Sequence, residues 1–288
     1  LMIVFALKAA LVPLQFWLPA TYAQAPMPVA ALFAVMTKIG VYALLRFGTL
    51  VFPPETAGIG GLIGEWLLAA AVVTLVLGML GVLGAAGLAR LIAFAVIGSV
   101  GTLMIAVALF TPGSTTAAVF YLIHSTFAAA ALFLVADLVM RGRGAAGGSL
   151  LPAPPVPAAG LVAALFFAGA IGMTGLPPLS GFPGKLLVLD AARGSAHVWW
   201  LWGAILATSL VAVVGFARAG STLFWKAHAV EVAPLARPAA RPPVLALATA
   251  SAALLPLAAL TIFAGPVMDY AESVSAQPDA GAPQREAE

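Results

Sequence analysis

FALKAALVPLQFWLPATYAQAPMPVAALFAVMTKIGVYALLRF, residues 5–47, places two lysines inside apolar runs with a proline-rich interruption between them. Lys8 comes five residues before Pro13, and Trp17, Leu18 and Pro19 close the interruption. Lys38 lies eleven residues past Met27 and eight before Arg46, about 16 Å and about 12 Å along a helix. That is near the middle of a hydrocarbon layer ~30 Å thick. An ionised group at such depth costs ~2.5–3.5 kcal/mol on insertion scales, so by default it marks an ion or proton pathway. A second stretch of the same kind, GLPPLSGFPGKLLVL (175–189), carries Pro177, Pro178 and Pro183 as helix breakers before Lys185. Helices broken beside a charge at membrane depth are how transporters build a site.

Composition agrees with a membrane setting. Hydrophobic residues make up 63% of 288 and charged residues 8%, against about 25% charged in soluble domains. The chain has no cysteine, which excludes disulfides, thiolate metal sites, iron–sulfur clusters and thiol nucleophiles. No metal or other cofactor motif is present. The net charge of +3 is carried mostly by loops, without the basic run or interleaved aromatics that would indicate nucleic acid. Residue 1 is Leu and Lys8 follows only seven apolar residues. A signal peptide places its positive charge before the apolar run, so the start reads as the interior of a longer chain.

Apolar runs at about 1–19, 27–50, 62–86, 89–111, 116–140, 158–192, 198–224 and 243–264 predict an all-α membrane protein of about eight transmembrane helices, each near the ~20 residues a span needs. Residues 158–192 are too long for one straight span and are read as a discontinuous helix; the first span is punctuated similarly at Pro13. The segments 151–159 and 234–243 read as stiff proline-rich connectors, 141–148 as a flexible turn, and 265–288 as a disordered acidic tail.

Lys8, Lys38, His124 and Lys185 fall at one level on four different spans. Each side chain is a Brønsted base, and histidine titrates near neutral pH unaided, so the row is a candidate proton relay. Snorkelling is the competing account for Lys8, Lys38 and Lys185, and for Arg218, which lies about two turns from Lys226. His124 alone could be an interhelical hydrogen-bonding histidine. Asp137 and Arg141, four apart, read as an interfacial pair. Arg218, Ser125 and Asp137 complete the accessory candidates. A hydrolytic Ser125–His124 pair is excluded because adjacent helical side chains point about 100° apart. A purely structural scaffold is the other alternative.

Residues 5–47 resemble the core signature of the antiporter-like subunits shared by Mrp-type cation/proton antiporters and respiratory complex I. The likeness rests on Lys8 before Pro13, Trp17, Leu18 and Pro19, and on Lys38 in its Thr-Lys-x-Gly-x-Tyr setting. YLIHSTFAAAALFLVADL (121–138) is similar to the helix bearing the family histidine, here His124, and GLPPLSGFPGKLLVL to the second broken helix with its lysine, here Lys185. The Ile-His-Ser-Thr run and FARAGSTLFWK (216–226) look most like the D subunit of Mrp/Pha-type multisubunit sodium/proton antiporters. The resemblance implies the C-terminal part of a fourteen-helix fold with inverted repeats: the end of the first repeat at 1–50, a second repeat at 51–225, and a linker and final helix at 226–264. It also implies a bacterial cytoplasmic membrane location, other antiporter subunits and lipid as partners, and protons with Na+ or K+ as substrates. The alternative is a proton-pumping subunit of complex I or a membrane hydrogenase. Two departures from the resemblance stand out: no acidic residue here matches by motif the family's intramembrane glutamate, and Ser99 and Ala129 occupy positions where some relatives carry histidine and lysine, so His124 and water would have to bridge that interval.

Alternate crossings place Arg90, Arg141, Arg143, Lys226, Arg237 and Arg241 on one side, against Arg46, Arg193 and Arg285 on the other, which makes the first side cytoplasmic. Reporter fusions after Arg143 and Arg241 should therefore report cytoplasm and a fusion at Asp279 the outside. A cytoplasmic Asp279 fusion would contradict this topology.

Overall fold

The computed structural model describes residues 1–50, 60–229 and 242–275, and the described residues are almost wholly helical. The expected connector over 234–241, the basic residues Arg237, Arg241 and Arg285, and the tail beyond residue 275 lie outside them. Helices follow as α1 (Met2–Ala9), α2 (Trp17–Gln24), α3 (Met27–Leu50), α4 (Gly60–Gly84), α5 (Leu88–Ala108) and α6 (Pro112–Gly142), then α7 (Ala159–Thr174), α8 (Gly181–Ala191), α9 (Val198–Gly220), α10 (Val244–Ile262) and α11 (Ala264–Ser275). Six of them, α3–α6, α9 and α10, are long and apolar enough to cross a membrane, and the bent pair α1–α2 makes a seventh candidate span.

The bundle forms around α5. Its flanks carry almost no polar side chain, and 94% of its apolar window is buried, against 39% for α4. Backbone approach on the α4 side is unusually close. A Cβ at Gly78 would lie 2.3 Å from the Gly98 nitrogen, and one at Gly101 2.3 Å from the Leu75 nitrogen. Small residues let membrane helices dock at this range, where packing replaces the hydrophobic effect. The next helix, α6, opens on a reciprocal capping box between Thr111 and Ser114 with Pro112 at its first position. Both orphan donors are thereby satisfied, and the helix continues for 31 residues.

The segment 158–192 is broken into two helices where the prolines predict it, and neither helix is by itself long enough to be a candidate span. Phe166 and Phe167 meet Gly220, Lys185 meets Ser209, and Leu189 meets Trp202. The pair α7–α8 therefore runs antiparallel to α9 along its length. The pair α1–α2 does the same against α3, with Phe5 beside Phe47 and Tyr22 beside Phe33. Pro177 and Pro178 lie in the α7–α8 connection and Pro13 in the α1–α2 connection, but Pro183 sits in the first turn of α8, where a missing N–H costs no helical bond.

Two further expectations are corrected. The 141–148 turn is tied down: the Arg143 guanidinium donates to the carbonyls of Gly147, Ser149 and Leu151. Leu88 and Leu150 also bond across to Gly148 and Ala86. Burial of Arg143 lowers its pKa from the ordinary value, since desolvation disfavours the cation. The tail expected to be disordered from residue 265 instead continues as α11 through Ser275 and packs on α6. Its polar and apolar residues separate onto two faces, which composition alone hides.

Exposed tryptophans mark both ends of the bundle. Trp66, Trp199 and Trp200 lie near the starts of α4 and α9, and Trp225 lies past the other end of α9. The two helices run parallel, Gly215 meeting Val82.

Gly101→Ala should force α4 and α5 apart and cost about 1–3 kcal/mol of stability, as overpacking does. Gly84→Ala, where a Cβ meets nothing within 4 Å, should be silent. Thermal unfolding of the two variants in detergent compares them directly.

Candidate functional site

Each broken pair opens the same way. At the end of α7, Gly175 takes a left-handed conformation (φ 79°), its N–H bonds Gly172 at 3.2 Å, and the Leu176 N–H reaches back to Ile171 at 3.1 Å. This is a Schellman cap. At the end of α1 the Ala10 N–H bonds Leu7 at 3.1 Å and Leu11 bonds Ala6 at 2.9 Å, with Ala10 itself left-handed at φ 58°. Helix ends at membrane depth are thus closed locally, as they must be without water. Neither cap bond uses the Thr174 carbonyl at the end of α7.

That carbonyl is used by Lys185. The lysine is buried, and its Nζ donates to Thr174 O at 2.7 Å and to Ser209 Oγ at 2.7 Å. Ser209 in turn donates its own proton to Ile205 O at 2.6 Å, so its lone pairs face the amine. A cavity of about 330 Å³ adjoins the lysine, bounded by Thr174, Leu176, Phe182, Ser209 and Leu210. On α3, Lys38 repeats the arrangement. It is 2% exposed and donates to Ser99 Oγ at 3.1 Å, while Ser99 donates to Val96 O at 2.8 Å. Neither lysine has a carboxylate within ion-pair distance among the described residues.

His124 sits between them, 1% exposed. Its Nδ1 is 2.8 Å from Ser180 Oγ, with the direction set by the tautomer, and the ring faces Gly172 on α7. Ser180 belongs to the α7–α8 connection, so the histidine is held by the break that ends at Lys185. A Cβ at Gly184, next to Lys185, would come within 3.1 Å of the Tyr121 ring one turn before His124, so a larger residue there would press on that ring.

Three of the four expected residues are therefore brought into one buried layer. Lys8 is the exception. It lies at the same level, its backbone against Gly40, but its side chain is exposed among the described residues. The accessory candidates are also placed elsewhere. Arg218 is exposed and donates to Ala85 O at 2.9 Å, closing the end of α4. Asp137 pairs with Arg141 at 2.6 Å as expected, about 20 Å along α6 from His124. Ser125 is buried and bonds its own helix, at Leu122 O. The partners Ser180, Ser209 and the Thr174 carbonyl escaped the sequence reading, and Ser99 was noted there only as a departure. Their signal is a hydroxyl at mid-span, which apolar helices carry for many reasons.

Comparison with known proteins fits this geometry. Residues 1–212 match the family described as NADH:quinone oxidoreductase/Mrp antiporter, transmembrane. The D subunit of a Na(+)/H(+) antiporter of Bacillus subtilis is 34% identical over 232 residues, covering 78% of this chain and 45% of its own. The D subunit of a probable K(+)/H(+) antiporter of Rhizobium meliloti is 32% identical over 252 residues, covering 77% and 47%. Among solved structures, a chain of the Mrp complex from Dietzia sp. superposes with TM-score 0.81 at 25% identity, covering 96% of this chain and 57% of that one. A chain of respiratory complex I from Thermus thermophilus shares the fold, with TM-score 0.78 at 24% identity over 95% and 57%. The chain spans about half the length of these curated relatives. It belongs to the NADH:quinone oxidoreductase/Mrp antiporter transmembrane family.

The two caps give a paired test. Gly175→Ala puts a side chain at φ 79° and within 2.6 Å of the Lys185 stem, so it should destabilise by about 1–3 kcal/mol. Ala10→Gly relieves the same conformation and should stabilise by about 1 kcal/mol. Melting temperatures of opposite sign relative to the parent check both.

Proposed function

We propose that this chain forms the proton-carrying part of a D-type subunit in a multisubunit monovalent cation/proton antiporter of a bacterial cytoplasmic membrane. The observation that carries the reading is the buried layer itself: Lys38, His124 and Lys185 on three helices, each held by a hydroxyl from another element and none by a carboxylate among the described residues. A structural charge would be paired or brought to a surface, whereas a group that must bind and release a proton is best held by neutral acceptors. Protons move along that layer while Na+ or K+ leaves the cell, and the other subunits complete the ion path. Lys8, at the same depth, is the candidate for the outer end of the row. The chain crosses the bilayer eight times, with α1–α2 and α7–α8 each counted as one broken span. Residues 1–50 close a first repeat, 51–225 form the second, and α10 follows as the final helix. The second reading, a proton-pumping subunit of a redox-driven complex, rests on the shared fold with the complex I chain.

Lys185→Ala removes the titrating amine and keeps helix propensity, so the full-length subunit should assemble and lose exchange. Lys185→Arg keeps the charge but holds its proton throughout the working pH range, and should fail as well. Antiport in everted vesicles, normalised to assembled complex, is the measurement. Working Arg with poorly assembled Ala would mark a structural lysine and overturn the role.

A further inference from the structure

No hydrogen bond joins Lys38 and its partner Ser99 to His124 and its partner Ser180. Two hydroxyls occupy the interval between them. Thr102 stands one turn beyond Ser99 on α5, and Tyr121 one turn before His124 on α6. Residues three apart share a helix face, with Cβ atoms about 5–6 Å apart, so each hydroxyl is carried on the same face as a member of the row. The Thr102 hydroxyl lies beside the Tyr121 phenol, between α5 and α6. Thr102 is fully buried and Tyr121 1% exposed. The Tyr121 ring lies 5.6 Å from that of His124, centroid to centroid, and against Gly184 beside Lys185. Ser99, Thr102 and Ser209 spend their protons on carbonyls of their own helices. A phenol has no such backbone partner within its own turn and is free both to give and to accept.

We propose that Tyr121, paired with Thr102, is the polar bridge that carries protons across the interval between Lys38 and His124. The proposal rests on the transport reading above and adds a residue to it. As a proton leaves the Lys38 ammonium, a hydroxyl oxygen of the bridge takes it up and releases its own proton toward the His124 imidazole. One O–H bond forms for each that breaks, and one proton is moved. A tyrosine kept only for its ring would fill the junction of α5, α6 and α8 equally well as phenylalanine.

The test uses the full-length subunit in its assembled complex, with antiport measured in everted vesicles and normalised to assembled complex. Tyr121→Phe keeps the ring contacts with His124 and Gly184, and should lower the exchange rate about tenfold, the worth of one buried hydrogen bond. Thr102→Val should do the same and Thr102→Ser should restore exchange. The Tyr121→Phe/Thr102→Val double variant should be no slower than either single, since members of one unit are not additive. Parental rates in Tyr121→Phe, or equal loss in Thr102→Ser and Thr102→Val, would overturn the bridge. Lys38→Ala run in parallel separates the two levels. If it exchanges normally the relay reading fails, whereas a dead Lys38→Ala beside a normal Tyr121→Phe removes the bridge alone.

Discussion

A basic side chain taken to the middle of a bilayer must find lone pairs there or not be there at all. Burying a charge or an unsatisfied polar group costs several kcal/mol, ~2–7 even for a neutral amide or hydroxyl. In this chain the lone pairs come from neutral groups. Ser99 and Ser209 each turn their proton onto a carbonyl of their own helix and offer the oxygen to a lysine. The third acceptor is a carbonyl, that of Thr174, freed because α7 stops there. The break at 175–180 therefore does two things at once: it exposes an acceptor for Lys185 and supplies Ser180 to His124. A continuous helix over 159–191 would do neither.

Such an arrangement tolerates little movement, because each lysine depends on a partner from another helix. The close approach of α4 and α5 at Gly78, Gly98 and Gly101 fixes the helix that carries Ser99 and Thr102. On the opposite side, α6 carries His124 and packs against α5, α7 and α8. The polar layer is thereby clamped between backbones rather than between long side chains. Rigid elements hold a functional geometry better than loops do, and here even the loop-like break is closed by helix-end hydrogen bonds.

Much of this was legible in the sequence because charges and prolines are rare in apolar runs. Lys38, Lys185, His124, both interruptions and the Asp137–Arg141 pair stood out from spacing alone. What the sequence hid are choices of face and of partner. Lys8 has the depth of a buried site and the exposure of a surface residue among the described helices. Ser99 is 61 positions from Lys38, and Ser180 is 56 from His124, separations at which no helical period links two residues. Hydropathy is equally silent about neighbours: α4 and α5 have mean hydropathies of 2.5 and 2.4, yet one faces outward and the other is enclosed. Lipid and protein interior are alike apolar, so composition does not separate them. Helix α11 was missed for a related reason, its apolar residues being diluted by alanine and acids until they line up on one face.

The tryptophans at the two ends of α9 give the site an unexpected sensitivity. Trp199 and Trp225 are both exposed and are separated by about 39 Å of helix, close to the distance between the two headgroup regions where indoles settle. A bilayer thinner than that spacing obliges the helix to tilt, and a thicker one draws it upright. Ser209 rides on α9, while Lys185 rides on the shorter α8 and is tethered to α7. Membrane thickness thus acts as a mechanical coordinate on the hydroxyl–amine distance, and lipid composition becomes a variable of the proposed ion path.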